Sequence, residues 1–293
     1  MRIFWFLLAC AGLVALPLRA VADTIYVDNV LGDDLHEGTE PDSAGRDGPV
    51  RTLDKALRIS NPGDHIVLAA TGEPYRESIG LSAARHCGNA ISPFIIDGQG
   101  AILEGADAVP YDAWENFAGA VFRFRPTRTS YQHLFLDGKP AVERKILPGE
   151  TRLPELKPLE WYRRGAFIYF RVEADKLPRD YNLSCSARQT GITLYHVHDV
   201  VVMNLVVQGF RLDGVNVNDG VTRCEILDVT SRGNGRSGIT VAGSSKVRLE
   251  GCLVGDNGEQ QLLVEGPSTT LVEQCDLLAN TAPAVTNRGA RLT

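Results

Sequence analysis

The chain has 293 residues, with 30 Lys and Arg against 36 Asp and Glu, a formal net charge of −6, 7% aromatic residues and 29 glycines. An acidic chain with scattered basic residues lacks the electrostatic footprint of a nucleic-acid binder, so no such partner is expected. The glycine-rich, turn-rich composition also argues against a helical bundle, and after the first residues no stretch approaches the roughly 18 apolar residues of a membrane span.

Residues 1–22 carry Arg2, an apolar run from Ile3 to Leu18 and the small triplet Ala20-Val21-Ala22. That pattern predicts a signal peptide, and with it a secreted, periplasmic or cell-surface protein that is more negative still once Arg2 and Arg19 are removed. A rival reading of Leu7-Leu8-Ala9-Cys10 as a lipoprotein site leaves too short an apolar stretch before the cysteine. Thr52 to Ile59 reads as a short helix, with Leu53, Ala56 and Leu57 on one face. Residues 108–188 hold Val121-Phe122-Arg123-Phe124, Leu134-Phe135-Leu136 with an Asp137-Gly138 turn, and Trp161-Tyr162 ahead of Phe167-Ile168-Tyr169-Phe170. These predict antiparallel strands in an inserted β-hairpin module.

From residue 189 to 293 one pattern recurs every 22 to 25 residues. Positions 204, 226, 251 and 274 form one column, and 192, 215, 239 and 262/263 another. Each copy holds short strands rich in Val, Ile and Leu, separated by turn sequences such as Arg232-Gly233-Asn234-Gly235 and Asp256-Asn257-Gly258. Three strands and three turns per period predict one coil of a β-helix, a solenoid. Stacked coils place equivalent residues about 4.8 Å apart, so chemistry is read down columns. Leu205, Leu227, Cys252 and Cys275, with Val207, Val229, Val254 and Leu277 two places on, read as core.

Glu225, Glu250 and Glu273, with Arg223 and Arg248 two residues upstream, read outward. Three stacked carboxylates suggest a cation site or an acid pair. A like-charge contact costs only about 1 kcal/mol in water-like dielectric and the arginines offset it, so a solvated salt-bridge ladder is the better reading. Loss of Cys10 with the leader leaves five cysteines, an odd number without close C-x-x-C pairs, and no structural metal is expected. Cys252 and Cys275 would point the same way from neighbouring rungs, which suits small buried hydrophobes better than a disulfide.

Gly-apolar-x-apolar segments such as Gly214 to Val217 and Gly238 to Val241, and the bend at Asn204, Ile226, Gly251 and Gln274, resemble the first strand and the tight second turn of the pectate-lyase-like superfamily of right-handed parallel β-helices. Thr24 to Asp28, Gly32-Asp33-Asp34, Gly48-Pro49 and Pro62-Gly63-Asp64 are similar to the opening of exported members. The resemblance implies an all-β fold in which residues 23–107 form an N-terminal cap with its helix and the first coils, 108–188 the inserted module, and 189–293 the repeat coils.

It also implies a substrate groove along the outer face of the first strand, where Thr193, Asn216 and Thr240 would face out. The residues it places there are Asp213, Asp219 and Arg236 as catalytic candidates and Asn216, Asn218 and Arg211 as substrate-binding ones, with Trp161 and Tyr162 of the module stacking on sugar rings. A lyase needs a cation for the uronate carboxylate and a base; a hydrolase needs two carboxylic acids across the glycosidic bond. Neither set is complete: Asp213 and Asp219 share one coil, the next offers Ser237 and Ser244, and the paired aspartates and Gly-His-Gly of polygalacturonases are missing. A turn-and-loop reading therefore outweighs the catalytic one, both rings read better as a seal of the module than as sugar platforms, and His196 and His198 read as turn residues. No cofactor is expected, with calcium at Asp213 and Asp219 as the alternative.

The expected function is an exported protein that binds polysaccharide and, as a lyase or hydrolase, cleaves it. The alternative is a non-catalytic carbohydrate-binding or cell-surface structural β-helix. The last strand-like segment, Ala284-Val285-Thr286, has no polar cap after it, so the expectation is either self-association through the C-terminal coil or a short version of a longer array.

Overall fold

A computed structural model describes residues 22–42, 45–146, 149 and 153–293. The predicted signal peptide, apart from Ala22, lies outside the described residues.

The short Val-, Ile- and Leu-rich segments form three parallel sheets that wrap one core. The first sheet stacks Ile79–Ser82, Ile192–Tyr195, Asp213–Asp219, Ser237–Val241, Gln260–Glu265 and Val285–Arg288. The second holds eight strands, from Thr24–Val27 through His198–Met203 and Thr222–Leu227 to Arg291–Leu292. The third runs from Ile102–Glu104 through Val206–Gln208 and Thr230–Arg232 to Asp276–Leu277. Alternation turns one apolar residue in two inward, so Ile192, Val215, Ile239 and Leu262 lie in register and are fully buried. The one α-helix among the described residues, Leu53–Ile59, is capped by the Thr52 hydroxyl, which accepts from the Lys55 amide. It buries Leu53, Ala56 and Leu57 against the same core.

The expected bend column needs one correction. The left-handed residues are Asn204, Asp228, Gly251 and Gln274, with φ of 55°, 51°, 65° and 50°, and Asp228 stands where Ile226 was expected. A β-branched side chain is strongly disfavoured at positive φ, whereas Asp and Asn tolerate it. The shift of two residues moves the second and third strands of that coil, while its first strand keeps the expected register. Glu225 falls in one column with Arg248 and Leu271, and Glu250 and Glu273 in another with Leu227, so two carboxylates stack in register instead of three. Arg248 reaches Glu225, Glu250 and Glu273 at 3.1, 2.6 and 2.6 Å. Ser231 takes the inward place expected for Val229; it is fully buried, and its hydroxyl donates to the Gly238 carbonyl at 2.8 Å. Cys87, Cys185, Cys224 and Cys252 are buried and Cys275 half-buried, all as free thiols, and burial pushes Cys185, Cys224 and Cys252 up to about 12.

Between the early and late coils the chain leaves the solenoid through Ala106–Ala108 and returns through Leu183–Ser186, which pair antiparallel. The excursion builds two small sheets. Glu160–Arg164, Phe167–Arg171 and Val121–Phe124 pair antiparallel in one, and the Asp137-Gly138 turn closes a hairpin from Leu134–Leu136 to Lys139–Pro140 in the other. Phe124, Leu134, Trp161, Ile168, Phe170, Val172, Leu183 and Cys185 form a core of its own.

Candidate functional site between the inserted module and the coils

Of the residues expected to line the first-strand groove, Asp213, Asn216, Asp219, Arg236 and Arg211 are held in hydrogen bonds within the fold, and Thr240, expected to face out, is 1% exposed. Asp213 has no exposed surface: Arg236 donates to both its oxygens, from Nε to Oδ1 at 2.9 Å and from Nη2 to Oδ2, and Asn216 Nδ2 donates to Oδ2 at 2.9 Å. Asp219 Oδ1 accepts from the amides of Gly220 and Ser244 at 2.9 and 2.8 Å and from the Ser244 hydroxyl at 3.0 Å, which hold the carboxyl below its ordinary range. The two aspartates thus serve separate turns, and among the described residues no group of three or more His, Cys, Asp or Glu converges as a metal site would require. Arg211 faces the module, donating to the Ala187 carbonyl at 3.2 Å and the Ser130 hydroxyl at 3.0 Å. Asn218 is exposed. Trp161 and Tyr162 are 0% and 3% exposed, so neither ring offers a face to a sugar. Trp161 fills the module core, with Nε1 donating to the Ala141 carbonyl, and Tyr162 stacks on Tyr169.

The convergence lies a few residues away, where segment 131–146 of the module crosses the coil turns at Gly235, Gly258 and Thr281. A β-carbon on Gly235 would stand 1.8 Å from the Tyr131 carbonyl oxygen, and one on Gly258 only 2.1 Å from the Gly235 oxygen and 3.0 Å from His133 Nε2. Glycine is required at both turns for the module to lie against the coils. Lys145 Nζ ties the two together by donating to the Gly258 and Thr281 carbonyls at 2.6 and 2.9 Å.

On either side of this tie the surface opens into adjoining cavities of about 410 and 630 Å³. His133, Glu143 and Lys145 line both, and Tyr131, Gln132, Arg163 and Glu259 line the smaller. Two polar atoms here are buried without a partner among the described residues, His133 Nδ1 and Gln132 Oε1. Burial raises the Glu143 carboxyl above its ordinary range, and the charges of Lys145 and Arg163 oppose that only in part. A third depression, about 680 Å³ on the outer face of the second sheet, is lined by Asp199, Arg223, Glu225 and Arg248, which are already paired with one another or, for Arg248, with the neighbouring glutamates. Lys246, also on its wall, is the one charge there without a side-chain partner among the described residues.

His133 is pushed down to about 4, first by burial and then by the nearby Lys145 and Arg163. An unfolded histidine protonates near pH 6.5, so between that pH and about 4 the unfolded chain binds the extra proton and stability falls as pH falls. The loss should reach about 3 kcal/mol at the acid end. Urea unfolding followed from pH 7 to 4 should show this slope, and His133→Phe should flatten it; an unchanged slope would remove His133 as its cause.

None of His133, Glu143, Lys145, Arg163 and Glu259 was among the residues expected from the sequence. They come from two strands, two loop segments and a coil turn and share no periodic position. The one local signal was Asp256-Asn257-Gly258, already recognisable as a turn.

A model of the right handed beta helix region matches residues 181–291. A solved structure titled as a glycoside hydrolase superposes with a TM-score of 0.64 at 12% identity, covering 87% of this chain and 73% of that one. The fold is the right-handed parallel β-helix. It agrees with the resemblance to the pectate-lyase-like superfamily at the level of architecture. Two further structures, the complex of XylC with xylose and the pectate lyase Pel9A, each give a TM-score of 0.44 at 12% identity; both cover 92% of this β-helix, which spans 68% and 58% of theirs. No curated protein matches the sequence. Among the described residues no helix is long and apolar enough to cross a membrane.

Proposed function

We propose that this β-helix is an exported, carbohydrate-active protein that holds a polysaccharide chain in the cleft between module and coils. The observation that carries the reading is the cleft itself: unpartnered buried polar atoms of His133 and Gln132 beside Lys145 and Arg163, in cavities of a size suited to sugar rings. Hydroxyl groups of a sugar would satisfy the buried atoms, and the two cations favour a sugar bearing a carboxylate. Gly235 and Glu259 immediately precede strands Ser237–Val241 and Gln260–Glu265, so the cleft opens onto the first-strand face, where Asn216, Asn218, Asp219, Asp213, Arg236 and Arg211 extend or support the path of the polymer. The glycoside hydrolase that shares the fold is in keeping with this reading.

Electrophoresis through gels containing polygalacturonate tests it. The wild type should be retarded, increasingly so at low salt, and Lys145→Ala/Arg163→Ala should migrate as in a plain gel. Unretarded wild type on polygalacturonate and on neutral xylan alike would overturn the proposal.

A further inference from the structure

Resting on that cleft reading, we propose that Glu143 and Glu259 are the acid and base of a glycoside-hydrolysing centre, which makes this β-helix a hydrolase rather than a lyase. Glu143 belongs to the short module strand Val142–Glu143, held in register against Glu160 and Trp161, while Glu259 follows Gly258 on a coil turn. The two carboxylates come from separate bodies of the fold and line the same cavity of about 410 Å³. The independent mark of a ligand is the pair of buried atoms on its wall, His133 Nδ1 and Gln132 Oε1, on side chains 6% and 3% exposed.

The environments of the two carboxyls set their roles. Glu143 is half-buried, and no hydrogen bond reaches its carboxylate from the described residues; burial favours its protonated form. Glu259 is exposed, within reach of solvent water. Pairs of carboxyls whose surroundings differ in this way divide acid and base work. In the reaction the Glu143 proton passes to the glycosidic oxygen, the C1–O bond breaks and its electron pair stays on that oxygen. Water adds to C1 and gives its proton to Glu259, so one water is consumed, two hydroxyl-bearing ends form, and solvent returns the proton from Glu259 to Glu143.

The competing elimination needs a base for the proton α to a uronate carboxylate. His133 is too weak a base when pushed down to about 4, and the Lys145 ammonium already donates to two carbonyls.

The full chain should release reducing ends from polygalacturonate or xylan without unsaturated uronate absorbance. Glu143→Gln, nearly isosteric, should lower kcat by about 100-fold or more while gel retardation persists, and should remove the alkaline limb of the pH–rate profile; Glu259→Gln should remove the acid limb. Unsaturated ends, wild-type turnover in both variants, or retardation without any reducing ends from either polymer would overturn the hydrolase assignment. An unretarded wild type would instead bring down the cleft reading on which it rests.

Discussion

Replacing Arg236 by Ala is expected to lower stability by about 3–5 kcal/mol, the cost of leaving a buried carboxylate without its counter-charge. Asp213 has no exposed surface, and the Arg236 side chain is 28% exposed, so water has little access to substitute for the guanidinium. Asn216 would remain as a single neutral donor to Oδ2. The control is the double variant Asp213→Leu/Arg236→Met, which removes both charges and should recover most of the loss, since a buried ion pair is worth little against apolar groups of similar volume. Urea unfolding followed by circular dichroism reads both. Equal losses in the single and double variants would mean that packing, and not the unpaired charge, sets the cost.

Trp161→Ala should cost about 3–5 kcal/mol, confined to the inserted module. The indole is fully buried among Phe124, Phe170 and Leu183, lies against the edge of His133, and donates Nε1–H to the Ala141 carbonyl. Truncation leaves both a cavity and an unpaired carbonyl. Limited proteolysis should cut between residues 108 and 188 first, while unfolding of the coils, followed on a separate signal, shifts little. A ring that served only to stack on sugar would give the opposite outcome, with unchanged stability and lost glycan retention.

The repeat was legible because three constraints coincide in every coil: inward apolar alternation, glycine or polar turn residues, and a near-constant period. Ile192, Val215, Ile239 and Leu262 fall in register as the pattern implies. The error at Ile226 arose from aligning apolar letters, when the bend is chosen by backbone conformation. Asp228 at φ 51° carried the necessary signal, since a short polar side chain is what a single left-handed residue accommodates. The helix at Leu53–Ile59 and the Asp137-Gly138 hairpin were legible for the same local reasons. The cleft was not. His133, Glu143 and Arg163 meet Gly258 and Glu259 only through strand pairing inside the module, parallel between Val142–Glu143 and Glu160–Arg164, and its docking on later coils, and no period or short motif records that meeting. Trp161 and Tyr162 were conspicuous in the sequence, but the hydrophobic area that makes an aromatic ring a good stacking surface also draws it into a core.

The tie made by Lys145 bears on how the chain reaches its native state. A solenoid of identical neighbours can begin anywhere and extend rung by rung, each step closing a loop of one coil. Here a residue of the excursion grips carbonyls 113 and 136 positions further along, on two successive late coils. Those contacts form only after the intervening rungs exist, and closing such long loops is entropically late. Assembly should therefore end on a slow docking phase in which the excursion settles onto finished coils, with the cleft completed last.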